Sequence, residues 1–146
     1  MAQSKRPPFL ARSSSVSLQR AIVKALKEEG IRAWDGTNSA PTLPFVKIGE
    51  ELTSGKVTSK DTYGKTHNLT LHVWSDYESS LETKALVDFM VDRLVNSPLE
   101  LEDGFCVVNA NLDHVRYTPA ANGAYNNYRA YLFLDFEVSD SLVNPR

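Results

Sequence analysis

The sequence predicts an α+β domain, a mostly antiparallel sheet of four to five strands packed against two main helices. Three observations carry this. Leu18, Ala21, Ile22, Ala25 and Leu26 recur at three- and four-residue steps and share one helical face. Leu69, Leu71 and Val73 alternate with Thr70, His72 and Trp74, the period of a half-buried strand. After a second helical segment the rest of the chain is strand signal, so helices and strands do not alternate regularly. At 146 residues the chain is sized for one domain, which can bury a core without disulfides or metals.

Taken in order, residues 1–14 read as a flexible arm. They hold Pro7-Pro8, basic side chains and the start of the serine run 13–15, with Phe9 and Leu10 as apolar neighbours. Residues 15–138 form the predicted domain and 139–146 a C-terminal tail. The first helix covers about 16–29 and stops at Gly30, where a left-handed residue is needed. Phe45 to Glu50 reads as a strand after Pro44. The polar stretch 51–65, with Gly55 and Gly64, reads as a long hairpin loop or a projection.

Residues 66–74 are the next strand. Ser79 and Glu82 have capping-box spacing at the start of the second helix. Leu81, Ala85, Leu86, Phe89, Met90 and Leu94 supply its expected apolar stripe, and Pro98 lies beyond its end. Phe105–Leu112 is a strand that 113–118 either continues or pairs with. Tyr128 to Val138 is the strongest alternation in the chain, and Leu132-Phe133-Leu134 points to a central place in the sheet.

The chemistry-bearing residues form no recognisable catalytic constellation. The glycines build no phosphate-cradling loop, and neither HExxH nor GxSxG occurs. His67 and His72 are five apart on a strand, so they face opposite sides and cannot share a metal. Cys106, the single cysteine, sits in Phe-Cys-Val-Val and is expected to be a buried, inert thiol. Carboxylate neighbours such as Glu50-Glu51 and Glu102-Asp103 read as solvated pairs. No cofactor, metal or enzymatic activity is expected. No apolar run reaches membrane-spanning length, and no apolar h-region follows the basic N-terminus, so neither a span nor a secretory signal is expected.

The net charge of −2 hides an asymmetry. Residues 1–27 carry six basic side chains and no acid, whereas 75–103 carry eight acids and two bases. Such segregation is a solvated surface in a monomer. In a head-to-tail assembly it lets one subunit's basic edge meet the next one's acidic edge.

Several segments in order resemble the tail-completion (tail-to-head joining) family of long-tailed bacteriophages and prophages. They are the helix Leu18–Leu26; Trp34-Asp35-Gly36 with Leu43 to Glu50; His67 to Ser75 running into Ala85, Leu86 and Val87; Pro98-Leu99; and Tyr128 to Phe133. The likeness spans residues 16–138; the arm departs from it. It implies a structural virion protein made in the host bacterial cytoplasm and similar to tail terminators. That is a hexameric ring of this chain that caps the tail tube, ends its polymerisation and joins it to the head connector. DNA would pass through the lumen without sequence-specific binding.

Under that resemblance, Arg20, Lys24, Lys27, Glu51, Lys56, Lys60 and Asp61 are the candidate interface residues. Pro44, Phe45, Ile48, Leu71 and Trp74 would hold the fold. Three other readings compete: another neck or head-closure protein, a small hydrolase or nuclease using His67, His114 and Asp135, and a single-stranded nucleic-acid binder using Arg116, Tyr117, Tyr128 and Arg129.

Overall fold

The computed structural model of the chain describes residues 13–34, 44–59, 62–75, 80–119 and 128–141. Helix α1 spans Ser14–Glu28. Ser13 caps it, its hydroxyl accepting from the Val16 amide at 3.3 Å. At the other end Gly30 takes φ +76°, and the amides of Gly30 and Ile31 return to the carbonyls of Lys27 and Leu26 at 3.0 and 2.8 Å. This double closure satisfies carbonyls that the last turn leaves open, and it places the stop where Gly30 predicts it.

The sheet has five strands in the order β1-β2-β3-β5-β4: β1 Ala33–Trp34, β2 Phe45–Ser59, β3 Thr62–Trp74, β4 Phe105–Pro119 and β5 Tyr128–Asp140. Only β1 and β2 run parallel; β2–β3, β3–β5 and β5–β4 are antiparallel. Helix α2, Ser80–Leu94, lies with α1 against one face. Between them and the sheet sits the core, where Leu18, Ile22 and Leu26 meet Leu71, Val73, Leu132, Leu134, Phe136 and Met90. β5 has a neighbour on each side, the central place its apolar triplet implies. The α+β reading therefore holds, with a five-stranded mixed sheet.

The structure departs from the sequence reading in several places, each with a physical cause. Residues 51–59 and 62–65 are not loop: β2 and β3 pair through them, from Glu51↔Leu69 to Ser59↔Thr62. The composition hides a strand there because Leu52, Val57 and Tyr63 are too widely spaced in the sequence to set up an alternation. Residues 113–118 continue β4 without a turn. Two irregularities, at Val107/Asn109 and Leu112/His114, shift its phase and erase the simple alternation. Cys106 is exposed, because Phe105 and Val107 take the inward positions and the thiol points to the face away from the helices. β5 runs to Asp140, two residues into the predicted tail. Ser79 and the capping box it would form lie outside the described residues.

The largest difference concerns α2. Thr83, Val87, Met90 and Leu94 are buried, and Leu86 packs against the core. Leu81 and Phe89 are 74% and 46% exposed, with Ala85 exposed between them. The predicted stripe thus merges two, one facing the core and one facing outwards.

Candidate functional site

Three surfaces or clusters carry enough chemistry to consider. The first is buried. The β2 strand has an irregularity between Ile48 and Glu51, made possible by Gly49. A Cβ at Gly49 would come within 2.6 Å of His72 Nε2 and 2.7 Å of the Thr70 carbonyl oxygen. Strict alternation from Val46 and Ile48 would send Glu50 towards the helices. The bulge sends Glu51 there instead and leaves Glu50 on the other face, 3.5 Å from His72 Nε2.

Glu51 then meets His67, which pairs from β3 on the same face and is fully buried. His67 Nδ1 lies 3.0 Å from Glu51 Oε2, and Nε2 lies 3.0 Å from Ser14 Oγ in the first turn of α1. Ser15 donates to Glu51 at 2.6 Å, and Thr53 donates to the same oxygen. Burial alone would raise the Glu51 carboxyl; hydrogen bonds from Ser15, Thr53 and His67, with attraction to His67, overcome this and hold it below the ordinary 4.5.

Hydroxyl, imidazole and carboxylate follow one another here as in a nucleophile–base–acid relay. Ser14, however, is only 6% exposed and His67 not at all. The groove of about 770 Å³ along α1 includes Ser15 in its lining but neither of these two. What the arrangement does is mechanical. Helix α1 has no acid of its own in the first turn, and Glu51 brings an anion to that positive end from β2. The cluster ties the helix start to the base of the β2–β3 hairpin. Sequence reasoning missed it because the Gly49 bulge decides which glutamate faces inwards.

The second surface is the sheet face without helices. Trp34 meets Phe45 edge-on at 5.8 Å, Phe45 stacks on Trp74 at 5.9 Å, and the Arg129 guanidinium covers Trp74 at 3.6 Å. Further along, His72 contacts Tyr131, His114 stacks on Phe133 at 4.1 Å, and Asn68 donates to Asp135. These pairs link neighbouring strands, while His72 Nε2 and Trp74 Nε1 find no hydrogen-bond partner among the described residues.

That arrangement bears on two of the competing readings. His114 and Asp135 lie on this face while His67 lies on the helix face, so the sheet separates the proposed hydrolase residues. Arg116 and Arg129 share the open face, but Tyr117 turns to the other side, packed on the core. Burial, and then the nearby Asp88 charge, push its phenol above the ordinary 10.0. A stacking platform needs its aromatics and cations on one surface, and Tyr117 is missing from it. Tyr128 has no described side chain.

The third surface is the outer side of the two helices. Arg20, Lys24 and Lys27 are exposed along α1, around the half-buried Val16 and Val23. On α2 the exposed stripe Leu81, Ala85 and Phe89 runs beside Glu82, Asp88 and Asp92. Of the other candidate interface residues, Glu51 belongs to the buried network and Lys56 lies on β2 without a described side chain. Lys60 and Asp61 lie outside the described residues. Among the described residues, no group of three or more His, Cys, Asp or Glu side chains is placed to hold a metal. No helix among them is long and apolar enough to cross a membrane.

A two-helix, five-stranded domain of this kind matches known proteins. The family model described as tail completion protein gp17 matches residues 15–135. The chain belongs to this family. Among solved structures, it resembles a chain titled as the virion of the native gene transfer agent particle, with a TM-score of 0.72 and 20% identity. That match covers 88% of this chain and 99% of the other, and at this identity the likeness is one of fold. No curated protein matches the chain. Membership makes this tail-completion protein a structural component of the virion tail and speaks for a non-enzymatic role.

Proposed function

We propose that this tail-completion protein forms a hexameric ring that caps the tail tube at full length, ends its polymerisation and joins the tail to the head connector. DNA passes through the lumen without sequence-specific contacts. The observation that carries the reading is the family match across residues 15–135, nearly all of the folded chain. The exposed apolar stripe on α2 supports it, since an isolated monomer gains nothing by leaving Leu81 and Phe89 in water. A closed ring of identical subunits uses two different patches on each copy, and the segregated charge supplies two.

The stretch 51–65, with Lys56, Lys60 and Asp61, and the N-terminal sequence before the Ser13 cap are further contact elements in this proposal. Light scattering and negative-stain imaging of the purified protein, alone and with its tail-tube protein, test it. Rings, or caps on tube ends with a narrowed tube-length distribution, are the expected result. A strict monomer that never adds to tube ends would overturn it.

A further inference from the structure

We infer that the ring contact is made by the outward stripe of α2 on one copy lying in the basic groove along α1 of the next. This rests on the ring reading and adds which two faces meet. The α2 surface carries Leu81, Ala85 and Phe89 at four-residue steps, with Glu82 and Asp88 on its two sides, Asp92 in line beyond Phe89 and the base Lys84 outside Asp88. The α1 face has the opposite balance: Val16 and Val23 lie beside Arg20, Lys24 and Lys27, and Ser15, Gln19 and Glu28 complete the described lining of a hollow of about 770 Å³.

The two are also matched in length. From Leu81 to Phe89 a helix advances about 12 Å, and from Val16 to Lys27 about 16 Å, so the stripe fits within the groove. Among the described residues Arg20, Lys24 and Lys27 have no anionic partner and Glu82, Asp88 and Asp92 no cationic one, Asp92 accepting only from the neutral Asn96 amide at 2.9 Å. By contrast Arg93, at the α1–α2 junction within one copy, lies 3.4 Å from Glu28 and 3.7 Å from Glu29. The fold pairs the charges it needs between its helices and leaves the outer sets for another molecule.

A second copy is the occupant that carries both faces on one sequence. The contact is heterologous: α1 meets α2, never itself, so each copy keeps one free face until a ring closes. Apolar contact at the centre with opposite charges at the rim is the usual division of labour in such interfaces.

The test uses two full-length variants, each with one face disabled. Lys24→Glu with Lys27→Glu spoils the groove and leaves the stripe; Phe89→Asp spoils the stripe and leaves the groove. All three residues are exposed, and circular dichroism with thermal melting verifies that both variants fold. Sedimentation velocity follows each alone and the two mixed in equal amounts, and imaging on tail-tube ends uses the same samples. Each variant alone is expected to be monomeric and not to cap tubes. Their mixture is expected to give a one-to-one dimer and nothing larger, because one intact groove meets one intact stripe. Wild-type assembly together with undiminished assembly of either variant alone would overturn this pairing while leaving the ring reading standing. A wild-type protein that is monomeric in solution and absent from tube ends would overturn the ring reading itself, and this pairing with it.

Discussion

Helices α1 and α2 are both 15 residues long and cover the same face of the sheet, yet they spend their apolar residues differently. In α1 the large apolar side chains Leu18, Ile22 and Leu26 all face inwards, and the outer side is basic. It is capped at Ser13, closed at Gly30 and clamped by the Glu51–His67 network. In α2 Leu86, Val87, Met90, Val91 and Leu94 face the core, and Leu81, Ala85 and Phe89 are exposed. The difference teaches that the inner face of each helix builds the domain, whereas the outer face of α2 adds nothing to the core and is the face that the proposed contact uses. Substitutions that separate folding from association can break or sharpen that contrast.

The largest effect on the fold is expected inside α1. Leu18→Ala should destabilise by about 2–5 kcal/mol, read by denaturant titration, because the cavity opens beneath a fully buried position. At Gly49 the Cβ of Gly49→Ala would meet the Thr70 carbonyl, a backbone atom that cannot turn aside. A loss of about 1–3 kcal/mol is expected, with weakened amide protection in β2 and β3 measured by hydrogen exchange.

The clamp comes next. Glu51→Gln replaces an acceptor shared by Ser15, Thr53 and His67 and should cost about 1–3 kcal/mol near neutral pH. The carboxyl titrates lower in the folded than in the unfolded chain, so its contribution is fully present above the ordinary value of 4.5. That contribution disappears as the pH falls through the lower folded value. Melting temperatures measured from pH 7 down to pH 3 should therefore fall less steeply in Glu51→Gln than in the wild type. An identical slope would show that the network does not depend on the carboxylate charge.

Smaller still is the cap: Ser13→Ala should cost about 1 kcal/mol, read as a lower denaturation midpoint. The smallest effect on stability is expected on the outer side of α2. Phe89→Ala should shift the fold by no more than about 0.5–1 kcal/mol while weakening self-association, read by sedimentation. A large destabilisation there, with association intact, would erase the distinction between the helices.

The same contrast explains what the sequence could reveal. Helix α1 was legible because a single stripe and Gly30 agree on one register, although it begins at Ser14, inside the stretch 1–14 that reads as an arm, because the Ser13 cap is hidden in a run of three serines. β5 was legible because its alternation has no interruption between Arg129 and Val138. The α2 register was not, since Leu81-Ala85-Phe89 and Met90-Leu94 each satisfy helical spacing and periodicity cannot choose between them. The Glu51–His67 contact was hidden for another reason: one bulge at Gly49 reverses which side chains face inwards, and bulges leave little trace in composition. Cys106 misled by its apolar neighbours, which sit on the opposite face of the same strand. The tail-completion resemblance rests on ordered segments rather than on any motif, and of the basic and acidic regions Arg20, Lys24 and Lys27 are on the outer side of α1 and Glu82, Asp88 and Asp92 on that of α2.

Zero-length carbodiimide cross-linking of an equal mixture of ordinary and ¹⁵N-labelled protein, assembled and analysed by mass spectrometry, tests most directly whether those two outer faces meet between copies. The expected products join Lys24 or Lys27 to Asp88 or Asp92 and carry one peptide of each label. Products linking those residues only within one label, or mixed-label products confined to other surfaces, would contradict it.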